Sequence, residues 1–195
     1  MKAKRFLALL LCTLMAVALL AGCGDKDGKD DKDSGKSKKS SPESVAQQTV
    51  KATLGFDLEA MFDLAPDQIV DDLVKARGFD SQEDYLEEYG EEYYADVKED
   101  YEDYFGKYTV KTEVLDTTDW DEDQVDDYNE ELDSEGYDLE IEAGANVRVK
   151  VTVDGEDEKE TVKTTVPVVQ IDGKWYTSVI GSAYDDFLDD VLYLV

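Results

Sequence analysis

Leu139 to Val153 reads LEIEAGANVRVKVTV, with apolar residues at every second position: Leu139, Ile141, Ala143, Ala145, Val147, Val149, Val151 and Val153. Successive side chains of a strand point to opposite faces, so this period puts one long face of a strand, or of a bent strand, in a core. Asp154-Gly155 begins a turn after it. A return strand is predicted from Thr161 to Ile171, and its apolar parity changes around Pro167. Proline cannot donate to a ladder, so that change predicts a bulge or an edge position. Asp172-Gly173 is a two-residue hairpin turn before Lys174-Trp175-Tyr176.

Upstream, Tyr108, Val110, Thr112 and Val114 alternate as a first strand. Asp119 is expected to start a short helix, capped by Thr118 or Asp119, with Val125, Tyr128 and Leu132 on its apolar face and Gly136 as its stop. Before Gly106 the period is helical. Ser44 to Phe62 carries an amphipathic pattern with an irregularity near Gly55, which predicts a helix broken in two. Pro66 suits the first turn of the next helix, with Ile69, Val70, Leu73 and Val74 on one face and Gly78 just past its end. Ser81 caps a third, predicted to run from Gln82 to about Phe105. Its stripe of Tyr85, Leu86, Tyr89, Tyr93, Val97, Tyr101, Tyr104 and Phe105 reads as a core face. Tyr94, adjacent to Tyr93, falls on another face. A closing helical stripe comprises Tyr184, Phe187, Leu188, Val191, Leu192 and Val195. The fold class is therefore α+β, with N-terminal helices packed on a curved antiparallel sheet and a C-terminal helix.

The N-terminus has a different logic. Lys2, Lys4 and Arg5 precede an apolar run from Phe6 to Leu20, and Leu20-Ala21-Gly22-Cys23 closes it. A basic start, an apolar stretch and small residues before a cut are the three regions of a secretory signal. Gly24 to Ser41, GDKDGKDDKDSGKSKKSS, has six Lys against five Asp and no apolar residue. Such a segment cannot bury enough surface to offset chain entropy, and is expected to be a disordered linker. Eighteen flexible residues reach roughly 23 Å, from about 5 to 6 Å times the square root of length. The organisation expected is a signal at 1–22, a modified cysteine and linker at 23–41, and a single domain at 42–195.

That domain carries the acid. From Pro42 onward there are 44 Asp and Glu against 11 Lys and Arg, a net of −33. This sign repels phosphate backbones, so nucleic acid is not an expected partner, whereas basic partners or divalent cations are attracted. The chain has no His, and its two cysteines are Cys12 in the signal and Cys23 at its end. Ser-His-Asp and Cys-His triads, imidazole acid–base steps and His-containing zinc sites are excluded, as is any disulfide within the domain. Ser182 in VIGSAYD lacks the second glycine of a nucleophile elbow, and no Gly-rich phosphate loop is present. Carboxylate, tyrosine and lysine remain as the chemistry available.

One carboxylate pattern merits a metal reading. Asp119, Asp121, Asp123, Asp127 and Glu130 occupy the first, third, fifth, ninth and twelfth positions of an EF-hand-like loop. Gln124 stands where such a loop needs glycine, and Asp126 where it needs an apolar anchor. The acid-rich helix is the stronger reading of the same residues.

Leu20-Ala21-Gly22-Cys23 resembles the lipobox of bacterial prolipoproteins, which implies cleavage before Cys23 and acyl chains, palmitate among them, on that residue. With two or three chains the anchor passes the two-signal threshold for stable membrane attachment. Helices first, a curved sheet second and the closing VVQIDGKWY hairpin resemble the nuclear-transport-factor-two-like, or cystatin-like, cone. The run from Pro42 to Tyr176 more narrowly resembles uncharacterised lipoproteins of Firmicutes. These resemblances imply a cell-surface lipoprotein on the outer face of the cytoplasmic membrane of a Gram-positive host. They also imply a sheet wrapped around a helix, with the last helix plugging the cone or pairing two subunits. Relatives of the ketosteroid-isomerase type place an Asp or His with Tyr inside the cone, but no stretch here matches their motifs residue by residue. The function expected is binding of a protein or small ligand, with no cofactor and no catalysis. The alternatives are an enzyme using a buried Asp or Glu with Tyr, and a divalent-cation-binding surface protein.

Overall fold

The computed structural model describes residues 40–89, 95–192 and 194. The signal, Cys23 and the linker to residue 39 lie outside the described residues, as do Tyr93, Tyr94, Val195 and the side chain of Tyr89.

Helix α1 spans Pro42–Gly55. Pro42 sits in its first turn, and the Ser41 hydroxyl accepts from the Ser44 N–H at 3.2 Å, a side-chain cap for one of the helix's orphan donors. Ser40 and Ser41 thus already engage the folded domain, for the Trp175 N–H also donates to the Ser40 hydroxyl at 3.3 Å. The expected break falls one residue past Gly55. Phe56 adopts φ 55°, and the bonds Phe56 N–H to Thr53 O and Asp57 N–H to Ala52 O close a Schellman cap around it. A bulky residue in the left-handed region is costly. Phe56 stays there because its ring is fully buried edge-on against Tyr101, with centroids 5.5 Å apart.

Helices α2 (Leu58–Asp63), α3 (Asp67–Ala76), α4 (Gln82–Tyr89) and α5 (Ala95–Phe105) follow. Pro66 is the N-cap of α3, and Gly78 lies just past its end with φ 89°. The predicted single helix from Gln82 to Phe105 is described as α4 and α5, with 90–94 outside the described residues. The tyrosine stripe is largely core: Tyr85, Tyr101 and Phe105 are buried, and Leu86 and Val97 pack against them. Tyr104 departs from the expected stripe, standing 39% exposed with its ring edge-on to Phe105.

The sheet has four antiparallel strands in the order β1 (Tyr108–Asp119), β2 (Ala143–Gly155), β3 (Lys159–Ile171) and β4 (Lys174–Thr177). Asp119 ends β1 rather than starting a helix. Helix α6 begins at Glu122, where Asp121 and Gln124 form a reciprocal capping box, and stops at Gly136 as expected. The alternating run from Leu139 to Val153 is not all strand. Leu139 and Ile141 precede β2, because the Asn129 side chain of α6 takes both the Ile141 N–H (2.8 Å) and the Ile141 carbonyl (3.3 Å).

Pro167 creates no bulge, and β2 and β3 stay in register throughout. The parity change arises because β3 is buried on both faces there: Val166 and Val168 enter the main core, and Val169 and Ile171 a smaller one on the other side. Pro167 lies on an inner strand, between β2 and β4, one residue beyond the last β3–β4 pair, Val168 with Thr177. The Ser178 N–H donates to the Pro167 carbonyl, so the missing proline N–H falls on the side where β4 has ended and costs no ladder bond. The register does shift elsewhere, between Val114 and Asp116 of β1, which bends that strand. Asp172 (φ 50°) and Gly173 (φ 73°) make the two-residue hairpin turn expected of them.

Helix α1 contacts all four strands. Helix α7 (Ser182–Leu192) packs on β3 and α1, and its stripe of Tyr184, Phe187, Leu188, Val191 and Leu192 is buried in the main core. The Tyr101 hydroxyl donates to the Val191 carbonyl, tying α5 to this helix. No helix among the described residues is long and apolar enough to cross a membrane.

Candidate functional site

The α1-facing side of the sheet is filled by the protein's own side chains. Val147, Val149, Val151 and Val153 of β2 and Val50 and Leu54 of α1 are all fully buried. Among the described residues, recesses of ligand size lie elsewhere, one of about 430 Å³ between α1, α2 and Lys174 and another of about 320 Å³ between α6 and the start of α7. The second has the denser chemistry.

Its floor starts at the end of β1. The Trp120 backbone N–H donates to the Gly144 carbonyl at 2.8 Å, which carries the indole onto the face of β2 opposite the main core. The ring lies directly on Gly144, where an added Cβ would meet Trp120 Cε3 at 2.0 Å, so only glycine permits the stack. Tyr128 of α6 packs against this indole at 5.5 Å between centroids. Its hydroxyl is 3.1 Å from the hydroxyl of Ser178, a side chain only 1% exposed, which in turn reaches the Ile180 carbonyl at 3.4 Å. Burial first, with Glu131 and Tyr137 adding to it, pushes the Tyr128 phenol up to about 12 against the hydrogen bonds from Ser178 and Ile180. Tyr128 is therefore a hydrogen-bonding group and not a base at ordinary pH.

Gln124, Asp127 and Glu131 project from one face of α6 into the recess, and Gly181, Ser182 and Ala183 close it from the start of α7. Among the described residues the lining contains no Lys or Arg. The arrangement offers aromatic surface, hydroxyls and carboxylates around an open hollow, which suits a polar or cationic group. The larger recess is mixed in charge, lined by Lys51 and Lys174 as well as Asp57 and Asp63, and Lys174 lies 4.3 Å from the centroid of the Tyr176 ring.

The five residues of the EF-hand-like pattern do not form a loop. Asp119 belongs to β1, the Asp121 carboxylate accepts from the Gln124 N–H at 3.0 Å, and Asp123, Asp127 and Glu130 are on α6. Gln124, one of the two residues that break the calcium pattern, is the capping partner. Among the described residues, no group of three or more acidic, His or Cys side chains is arranged to hold a metal ion. The buried polar side chains are Thr49, Thr53, Thr164, Thr177 and Ser178, so no Asp or Glu among the described residues is buried beside a tyrosine. Asp185 is the carboxyl that partial burial, then Asp189 and Asp186, hold above its ordinary range. It lies on α7 with those acids.

Sequence reasoning passed over Trp120, Gly144 and Ser178. A signal for the first two was present: an isolated Gly inside an otherwise Val-rich alternating strand marks close approach by another group, and Trp120 is one of only two tryptophans. Comparison with protein-family models, curated proteins and solved structures returns no match to the chain.

Proposed function

We propose that the chain is an extracytoplasmic lipoprotein, anchored through acyl chains on Cys23 to the outer face of a Gram-positive cytoplasmic membrane, whose domain acts by binding a protein or small ligand. The observation that carries the binding half is the open, aromatic and acidic recess at Trp120 and Tyr128, on the face of the sheet opposite the filled, α1-facing side. Catalysis of the buried-carboxylate kind needs a desolvated Asp or Glu, and the carboxylates around this recess line an open hollow. We read the sheet around α1 as a closed form of the nuclear-transport-factor-two-like cone; contact of one helix with all four strands supports this.

The anchor is tested by metabolic labelling with palmitate in a bacterial host that processes lipoproteins. The native chain is expected to take up label and fractionate with membranes, and Cys23→Ala to take up none. Equal labelling of both proteins sinks the anchor. A binder stabilises in proportion to occupancy. Substrate turnover at a small fraction of one equivalent of protein would overturn the binding half.

A further inference from the structure

The backbone of β1 holds a row of hydrogen-bonding groups whose direction follows from two bonds near its ends. The Glu156 N–H donates to the Lys107 carbonyl at 3.1 Å, and the Trp120 N–H to the Gly144 carbonyl. Residues that exchange bonds alternate with residues that do not in an antiparallel pair. Thr109, Lys111 and Glu113 therefore turn their backbone groups to β2, and Tyr108, Val110, Thr112 and Val114 turn theirs away from it. Past the bulge, Thr117 and Asp119 also face away. Among the described residues no strand pairs with this side. The Gln47 amide reaches the Thr112 carbonyl only at 3.4 Å, the outer limit of a hydrogen bond.

We propose that this edge docks an extended segment of a basic polypeptide, which joins the sheet as a fifth strand beside Tyr108–Val114. The stretch is seven residues of unbroken register, ended by the bulge. Its inward side chains, Tyr108, Val110, Thr112 and Val114, are only half-buried, whereas Val149, Val151 and Val153 opposite them in β2 are fully buried. An added strand completes that burial and supplies partners for the outward backbone groups. Charge selects the occupant. Lys111, Arg148 and Lys150, the cations of β1 and β2, are each held by a carboxylate, on Asp154, Asp116 and Glu113 respectively. The domain's excess of acid is left to attract a basic chain and to repel a second copy of itself.

The inference rests on the binding reading but not on the lipid anchor, so its failure leaves acylation of Cys23 untouched. The probe is a fluorescently labelled nonapeptide of alternating lysine and valine, added to the full-length chain in neutral detergent and followed by anisotropy and hydrogen exchange. Binding is expected to weaken with salt, to be at least about tenfold weaker for the glutamate–valine counterpart, and to slow exchange within 108–114. Two peptides N-methylated on alternate residues, in opposite phases, report the geometry without altering the protein. Methyl groups that face β1 should weaken binding about tenfold or more, and methyl groups that face solvent should not. Thr112→Pro removes an outward N–H while sparing the β2 ladder, and should act like the harmful phase. Equal effects of the two phases, no binding, or protection confined to other segments overturns the proposal. A concentration-dependent dimer that protects 108–114 without peptide overturns it in favour of a second copy.

Discussion

β1 and β2 are neighbours of nearly equal length with the same alternating pattern, yet they occupy very different environments. The inward valines of β2 are fully buried, while the inward residues of β1 keep part of their surface in water. Among the described residues β2 has a strand on each side and β1 on one. Alternation in a sequence thus identifies which side chains share a face, and rank within the sheet sets how deep that face lies. The outer sides differ less, since cross-strand ion pairs such as Arg148 with Asp116 at 2.6 Å bind the two strands where both are exposed.

The largest expected effect tests the packed end of β2. A Cβ at Gly155 would meet the Phe105 carbonyl oxygen at 2.2 Å, a backbone atom that cannot swing aside. Gly155→Ala is expected to cost about 3 kcal/mol or more, since overpacking against a fixed neighbour forces the backbone to move. A change below about 1 kcal/mol in urea unfolding would show that the junction of α5 and β2 gives way easily. Next, Val149→Ala and Val110→Ala remove the same two methyl groups from the same face of neighbouring strands. The first is expected to cost about 2 to 3 kcal/mol and the second about 1, because only the buried site loses its whole transfer energy and leaves a cavity. Equal losses would break the contrast between the strands and place β1 as deep as β2.

The smallest effect is a pH dependence at the rim of β1. Hydrogen bonds from the Glu43 backbone N–H, then the Ser41 hydroxyl, and finally the Thr117 hydroxyl of β1, hold the Glu43 carboxyl below its ordinary 4.5. A depressed folded pKa contributes stability that is complete above 4.5 and is lost as pH falls through the lower folded value. Glu43→Gln should therefore lose less stability than the native chain on going from about pH 7 to about pH 3, by a small margin because the group is only partly buried and solvent screens it. Identical acid profiles in urea titrations at the two pH values would mean that Glu43 does not tie α1 to the edge strand.

Local rules made much of this legible. Gly78, Gly136 and the Asp172-Gly173 pair stop or turn elements by chemistry that acts over a few residues, and each element end they predict is where the chain has it, whereas Ser41, read as linker, caps α1. The misreadings came from distant partners. Asn129 draws Ile141 out of the strand its period predicts, and two cores on opposite faces make β3 look irregular at Pro167. The recess was less legible than the fold, for Trp120 comes from the end of β1, Tyr128 from α6 and Ser178 from the loop after β4, with no spacing between them that a sequence could display.

The sequence by itself determined the alternation of β2, the turns and caps, the acid excess, and the absence of histidine, because these depend on residue type and short-range period. The tertiary structure alone decided that β1 is the shallow edge, that Trp120 rests on Gly144, and that the face around α1 is packed shut. Depth and closure depend on which elements meet across the core, and that is fixed only when every apolar face competes for burial at once.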